Sequence, residues 1–537
     1  MGSHWHRFTT KAMASRCMNR TTDLITAALT ALFLGFLILA GMNAVFVFDA
    51  SYNLLSYQSL FQGSGFSHTY NGQSTPFDPT VSTGPELYLP AWLLWVVLGR
   101  SDYDAASWIL IGYYAAFFLF LYRLVLRDPR ERLAAILVFL ALFFSARLLV
   151  QSSLFIAPLG ELVAAFLLCF GLYALHKERF LAAALLLGLA LDVKTNVAVG
   201  LLPSVCVFWL VRVLVPALRE PSSAGRLRKL AIALPVSALW LALMLTPHLI
   251  SSLLAPRLCL DAQDQSTWQG ARDTRMAFMR AQGMGQLIAL QKDPTIEGVR
   301  AFVRTVRHKT GIMQGFFNGS PWLALSFWAS ILLLLVSSRY HFAFYLFLFG
   351  IFQTIWWFTG PLDAWFRYWL PGYFSLLLGI VCFVPGVLIH KRRAAPIAAL
   401  AAVLLVSWHT LSIPSIYAAL ADRRSERQDM IEMAQYLADL DPEFVFTYGW
   451  FQCPQIALLT GRRFFDYKER SALGSAMDSG KDVYFLRCPE NSIIEAETQA
   501  ATRDMVHVAS FGGNRLYRIA PAAPRPDALP RPVTRGP

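Results

Sequence analysis

Long apolar stretches punctuate this chain near residues 24–48, 105–125, 133–150, 160–176, 180–192, 197–216, 230–250, 321–337, 342–359, 369–389 and 395–416, and nothing else in it narrows the fold so far. A helix needs ~20 apolar residues to cross a bilayer. Inside lipid every backbone polar group must find its partner within the protein, so such segments become helices. The expectation is a polytopic α-helical membrane protein with about eleven transmembrane helices. Composition agrees: 56% of residues are hydrophobic and only 15% charged, against ~25% charged in soluble proteins. The run 86–99 is short and contains Pro90, which predicts a helix lying at the interface. Spans 180–192 and 197–216 are the weakest; Asp192, Lys194, Thr195 and Asn196 separate them, and two half-helices entering from one side are the alternative.

Basic residues orient the bundle. Arg7, Lys11, Arg16 and Arg20 precede the first span; Arg123, Arg127, Arg130 and Arg132 lie between the second and third; Lys177 and Arg179 follow the fourth. Arg212, Arg219, Arg226, Arg228 and Lys229 follow the sixth, Arg339 the eighth, and Lys391, Arg392 and Arg393 the tenth. With a cytoplasmic N-terminus (1–23), all of these loops fall on one side, and the first span is an uncleaved anchor. The net charge of +13 sits mostly in these loops, which points to anionic membrane lipid rather than nucleic acid. The transmembrane part then covers 24–416, with exterior loops 49–104 and 251–320. In the second loop, Gln286–Leu290 and Val299–Val306 read as amphipathic surface helices. Residues 417–520 read as a small exterior α/β domain with strands at Glu443–Tyr448, Arg463–Tyr467, Val483–Arg487, Val506–Phe511 and Arg515–Ile519 and a helix near 492–503; residues 521–537 read as disordered. Cys453 and Cys488 share that exterior domain, as a pair or as free thiols. No Cys/His spacing reads as a zinc site.

Asp49, Asp78, Glu86, Arg147, Glu161, Lys194, Asp363 and Arg367 all fall on the exterior face by this topology. Ionisable groups at membrane depth are hypotheses of function. The plainer reading is a set of unrelated helix-end charges, with Asp363 and Arg367 paired across four residues. Acids and cations gathered at the outer interface suit group transfer from a lipid-linked phosphate. A carboxylate can take the proton of an acceptor hydroxyl, and Lys or Arg can hold the phosphate and stabilise the charge that grows on it. A pump would place its acids near the midplane, where spans two, three and seven to eleven are nearly free of charge.

The stretches Phe48-Asp49-Ala50-Ser51-Tyr52-Asn53, Leu60–Phe66 and Thr83–Pro90 resemble the first outer loop of the GT-C glycosyltransferases, polytopic enzymes that take a sugar from a polyprenyl-phosphate carrier. Leu159-Gly160-Glu161, Leu187–Asn196, Arg367–Pro371 and, in the tail, Tyr448–Pro454 with Thr460–Arg463 extend the likeness over most of the chain. Members include the bacterial aminoarabinose transferase, the protein O-mannosyltransferases and RgtA/B/C/D-like proteins. The resemblance implies an inverting glycosyltransferase of the plasma (inner) membrane, with its C-terminus exterior and a glycan, lipid or protein as acceptor. It implies Asp49 as general base, Glu161 as second acid orienting the acceptor or a metal, and Lys194 and Arg367 on the lipid phosphate; Asp78 and Glu86 are weaker candidates. Members often carry a second acid directly after the first, where this chain has Ala50, so a divalent metal is left open. The competing readings are a transporter or flippase of lipid-linked intermediates, against which stand the absence of an internal repeat and the tail domain of about a hundred residues, and a non-catalytic scaffold.

Overall fold

The computed structural model describes residues 2–41, 48–63, 65, 67–70, 73–76, 87, 89–101, 103–144, 160–254, 284–318, 320–337, 341–361, 366–390, 403, 406–407, 413–447, 453–460, 464–467, 470–487 and 505–520. Among them, six helices are long and apolar enough to cross a membrane, or seven if one bent pair counts as a single span. Helix α1 (Gly2–Gly41) leads to α2 (Phe48–Phe61), a two-stranded ribbon β1 (Ser67–Tyr70) and β2 (Gln73–Pro76), and the short apolar α3 (Leu89–Leu98). The bundle continues with α4 (Tyr103–Phe120), α5 (Pro129–Phe143), α6 (Glu161–His176), α7 (Phe180–Val193), α8 (Ala198–Trp209), α9 (Val215–Leu218) and α10 (Ser223–Leu254). After α11 (284–292) and α12 (Ile296–Asn318) come α13 (Pro321–Val336), α14 (Phe342–Thr359) and α15 (Leu370–His390). Helices lie at ten of the eleven expected positions, and six or seven of them are long and apolar enough to cross. The eleventh, 395–416, falls mostly outside the described residues.

Residues 42–47 of the first expected span lie outside the described residues, between α1 and α2. One departure from the expectation bears on function. Helices α6 and α7 have 16 and 14 residues, about 24 and 21 Å at ~1.5 Å per residue. They are fully formed helices but shorter than the ~30 Å hydrocarbon layer. The run Thr195–Leu218 is long enough to cross, so only α7 of the weak pair is short.

Contacts fix which helix ends lie together. Arg132 pairs with Asp23 at 3.2 Å, the Tyr173 hydroxyl donates to the Leu124 carbonyl at 2.6 Å, and His176 and His341 lie 6.5 Å apart. One end of the bundle therefore gathers the start of α5, the end of α6 and the start of α14, together with Arg127, Arg130, Lys177 and Arg179. At the opposite end lie the start of α6, the end of α7, the end of α14 and the start of α15.

Lipid supplies no hydrophobic drive between helices, so close van der Waals packing holds the bundle. Small residues permit it: a methyl on Gly188 would meet the Met244 carbonyl of α10, and one on Gly372 would lie 2.7 Å from Gln353 Cβ of α14. Phe33, Tyr114, Phe117, Phe139 and Phe166 form an aromatic centre, with Phe117 and Phe166 stacked at 4.7 Å and Phe33 edge-on to Phe139 at 5.4 Å.

Residues 444–520 contribute a five-stranded mixed sheet. Its strands are β3 (Phe444–Thr447), β4 (Phe465–Asp466), β5 (Val483–Arg487), β6 (Val506–Phe511) and β7 (Asn514–Ala520), ordered β4-β3-β5-β7-β6. The strands agree with those read from the sequence, including the β6–β7 hairpin. Three helices accompany them: α16 (Ile413–Leu440), α17 (Cys453–Thr460) and α18 (Arg470–Asp478). Helix α17 rests on α2, where the Gln58 side-chain amide donates to the Leu458 carbonyl at 3.2 Å and Leu55 joins the sheet's apolar cluster. Cys488, the predicted helix near 492–503 and the tail from 521 lie outside the described residues, as does the side chain of Cys453.

Candidate functional site

Glu161 and Lys194 form an ion pair, Oε1 to Nζ at 3.1 Å, with side chains 2% and 16% exposed. The local sequence explains both positions. Gly160 adopts φ 89°, a left-handed turn that glycine takes without strain, and α6 starts on the next residue. Glu161 thus lies in the first turn, where the helix dipole favours a carboxylate. Lys194 is extended (φ −146°, ψ 101°) between α7 and a 3-10 turn at Thr195–Val197. Its Oε1 engaged by Lys194, Glu161 keeps Oε2 buried with no partner among the described residues, and Asn196 Oδ1 nearby in sequence is likewise a buried acceptor without one. Asp192, in the last turn of α7, is fully buried. Because α6 and α7 are short, the pair lies inside the hydrocarbon layer when Lys177 and Arg179 sit at the other interface.

Arg367 occupies a 3-10 turn, Phe366–Tyr368, just before α15. The turn is anchored from below: Gln353 Nε2 donates to the Tyr368 carbonyl at 3.1 Å, and the Trp369 indole donates to Thr354 Oγ1 at 2.9 Å. The half-buried guanidinium lies over the Tyr368 ring, 5.8 Å from its centre. Burial pushes it below its ordinary pKa, and the Tyr368 phenol pushes it back up.

The two cations share one end of the bundle. Gly200, near the start of α8, packs on Phe349 of α14, and Gln353, which holds the Arg367 turn, lies four residues further along α14 toward its end. Lys194 precedes α8 and Arg367 follows α14, so both lie at that end.

The other sequence candidates are placed less fully. Asp49 is the second residue of α2, and its side chain lies outside the described residues. Asp78, Glu86, Arg147 and Asp363 also lie outside them, so the Asp363–Arg367 pairing does too. Among the described residues no three His, Cys, Asp or Glu side chains come together as a metal-binding group. Sequence reasoning gave no role to Gln286 or to Lys309, yet both are buried against the turn that leads to Arg367. The sequence signal for the Glu161–Lys194 contact was present: the two residues lie nearly equally far from the tight turn at Lys177–Arg179, as partners in an antiparallel helix hairpin do.

No family model matches the chain, and no curated protein matches its sequence. Solved structures do. ArnT from Cupriavidus metallidurans, in the apo state, superposes with a TM-score of 0.55 at 13% identity, over 92% of this chain and 97% of that one. The archaeal oligosaccharyltransferase AglB from Archaeoglobus fulgidus, in complex with an inhibitory peptide and a dolichol-phosphate, matches with a TM-score of 0.44 at 12% identity, over 88% and 69% of the two chains. The chain thus shares its fold with ArnT.

Proposed function

We propose that this protein is a membrane glycosyltransferase that moves a sugar from a polyprenyl-phosphate donor to an acceptor at the exterior face of the plasma membrane. The observation that carries the reading is the pairing of Glu161 with Lys194 at the end of the bundle that also presents Arg367, in a chain with the GT-C fold. In this reading the N-terminus is cytoplasmic, the sheet of residues 417–520 is exterior, and the acceptor is a glycan, lipid or protein.

The residues divide the work by charge. A polyprenyl-phosphate sugar carries one negative charge on its phosphodiester. Glu161, Lys194 and Arg367 together carry one net positive charge, which balances it. Asp49 takes the proton of the acceptor hydroxyl as that oxygen bonds to the anomeric carbon. The bond from that carbon to the phosphate oxygen breaks in the same displacement, with inversion. The departing polyprenyl phosphate gains one negative charge while Asp49 loses one. Lys194 and Arg367 stabilise that gain, most effectively in a site from which water is excluded. The free Oε2 of Glu161 accepts a hydrogen bond from an acceptor or sugar hydroxyl and orients it. Because both must reach one substrate, the reading requires Asp49, on the first turn of α2, to come within ~10 Å of Glu161.

The test is incubation of the purified protein with a panel of labelled polyprenyl-phosphate sugars. Release of sugar from any of them, lost in Arg367→Gln at normal protein yield, supports the reading. Movement of an intact lipid-linked sugar across a vesicle membrane without its hydrolysis or transfer would instead identify a flippase.

A further inference from the structure

Helix α14 ends at Thr359, and Pro361 two residues on cannot continue it. Its last carbonyls are therefore orphaned unless something reaches them. Two side chains from the loop between α10 and α13 do so. Lys309, fully buried in α12, donates its ammonium to the Trp357 carbonyl at 2.7 Å and the Pro361 carbonyl at 2.5 Å, and lies over the Trp357 ring at 5.8 Å. Gln286, buried in α11, donates its side-chain amide to the Phe358 and Pro361 carbonyls at 3.2 and 2.6 Å and its backbone N–H to the Gly360 carbonyl at 3.0 Å. Four carbonyls of one short segment are thus held from outside the α14–α15 hairpin.

The far side of the turn is gripped by the same helix. Phe316 lies two turns along α12 from Lys309 and on the same face. Its ring meets Phe366, the residue before Arg367, at 4.3 Å, and Phe317 meets Trp369 edge-on at 5.9 Å. Ile312 and Met313, between them on that face, pack on the bundle core. Burying an ammonium is costly unless its protons and charge are all matched. Here the negative end of the α14 dipole and the carbonyls of the turn match them. A neutral amide at 309 would meet the hydrogen bonds alone. A retained charge ties α12 to the end of α14 far more strongly.

We propose that Lys309 is a positioning residue that fixes the turn carrying Arg367, so that the second exterior loop sets the geometry of the phosphate-binding cation. That functional consequence rests on the glycosyltransferase reading above; the hold on the turn does not. Hydrogen exchange of the backbone from 366 to 374 separates the two, measured on the full-length protein in detergent alongside affinity for a polyprenyl phosphate. Lys309→Met keeps the side-chain stem and removes the charge. It is expected to speed exchange of the turn at least tenfold and to weaken polyprenyl-phosphate binding about tenfold. Arg367→Gln is expected to weaken binding further, and adding Lys309→Met to it to weaken it no more, because Lys309 acts through Arg367. Gln286→Met gives the same measurement through a milder change if Lys309→Met yields too little protein. Unchanged exchange in both variants overturns the proposal, as does a binding loss in the double variant equal to the product of the single losses. Faster exchange in Lys309→Met with Arg367→Gln binding like wild type upholds the hold on the turn and overturns the phosphate role of Arg367.

Discussion

Replacing Lys194 by methionine while leaving Glu161 in place strands a carboxylate that is 2% exposed. Breaking a buried pair by removing one partner costs ~3–5 kcal/mol. Because the Lys194 side chain is 16% exposed rather than fully buried, the low end, about 3 kcal/mol, is expected. Replacing both, as Glu161→Leu with Lys194→Met, removes the stranded charge and keeps the volume. Such swaps are often neutral or stabilising, so the double variant should return to within about 1 kcal/mol of wild type. Stability is read by unfolding in mixed micelles of denaturing and mild detergent, and activity by transfer from a lipid-linked sugar. Transfer should not return with stability. If Lys194 meets the phosphate, its loss removes about 3 kcal/mol of transition-state stabilisation, or about 100-fold in rate, and the double variant should be at least as slow as the single. A double variant that regains both stability and transfer would show that the pair only joins α6 to α7, and would remove both residues from the site.

Gly188→Ala should destabilise by about 1–3 kcal/mol, because its methyl would meet the Met244 backbone and force α7 from α10; Gly35→Ala, with nothing within 4 Å, should be neutral or slightly stabilising in the same unfolding assay. Gln58→Leu should strand the Leu458 carbonyl, at a cost of ~1–3 kcal/mol, and loosen residues 413–520 from α2, read as faster proteolytic release of that segment. His341 caps α14 by accepting from the Ala343 N–H at 3.2 Å, and burial, then Lys177, hold its pKa below the ordinary value. The cap therefore contributes fully above ~6.5, and its contribution falls as pH drops below that and through the folded value. The melting temperature of wild type should thus fall more between pH 7.5 and 5 than that of His341→Asn, which caps without titrating in this range.

Helix positions were legible because hydrocarbon imposes length and apolarity on each segment separately, and the sheet because turns and alternation mark its strands locally. Glu161 and Lys194 were singled out one at a time as helix-end charges, yet their pairing depends on the register of the α6–α7 hairpin. Lys309 was hidden by its company. Arg300, Arg304 and Arg307 on the same helix are exposed, and only the tertiary contact with the end of α14 shows that this one ammonium is buried.

The central claim is sugar transfer at the exterior face, driven by Asp49 and the cations at that end of the bundle. Its most direct measurement is transfer from a labelled polyprenyl-phosphate sugar by the protein reconstituted in one orientation in sealed vesicles, wild type beside Asp49→Asn. The account predicts transfer only when acceptor is supplied on the side bearing residues 413–520, with Asp49→Asn slower by at least 100-fold at equal protein yield. Transfer from the opposite side, or an Asp49→Asn rate equal to wild type, would contradict it.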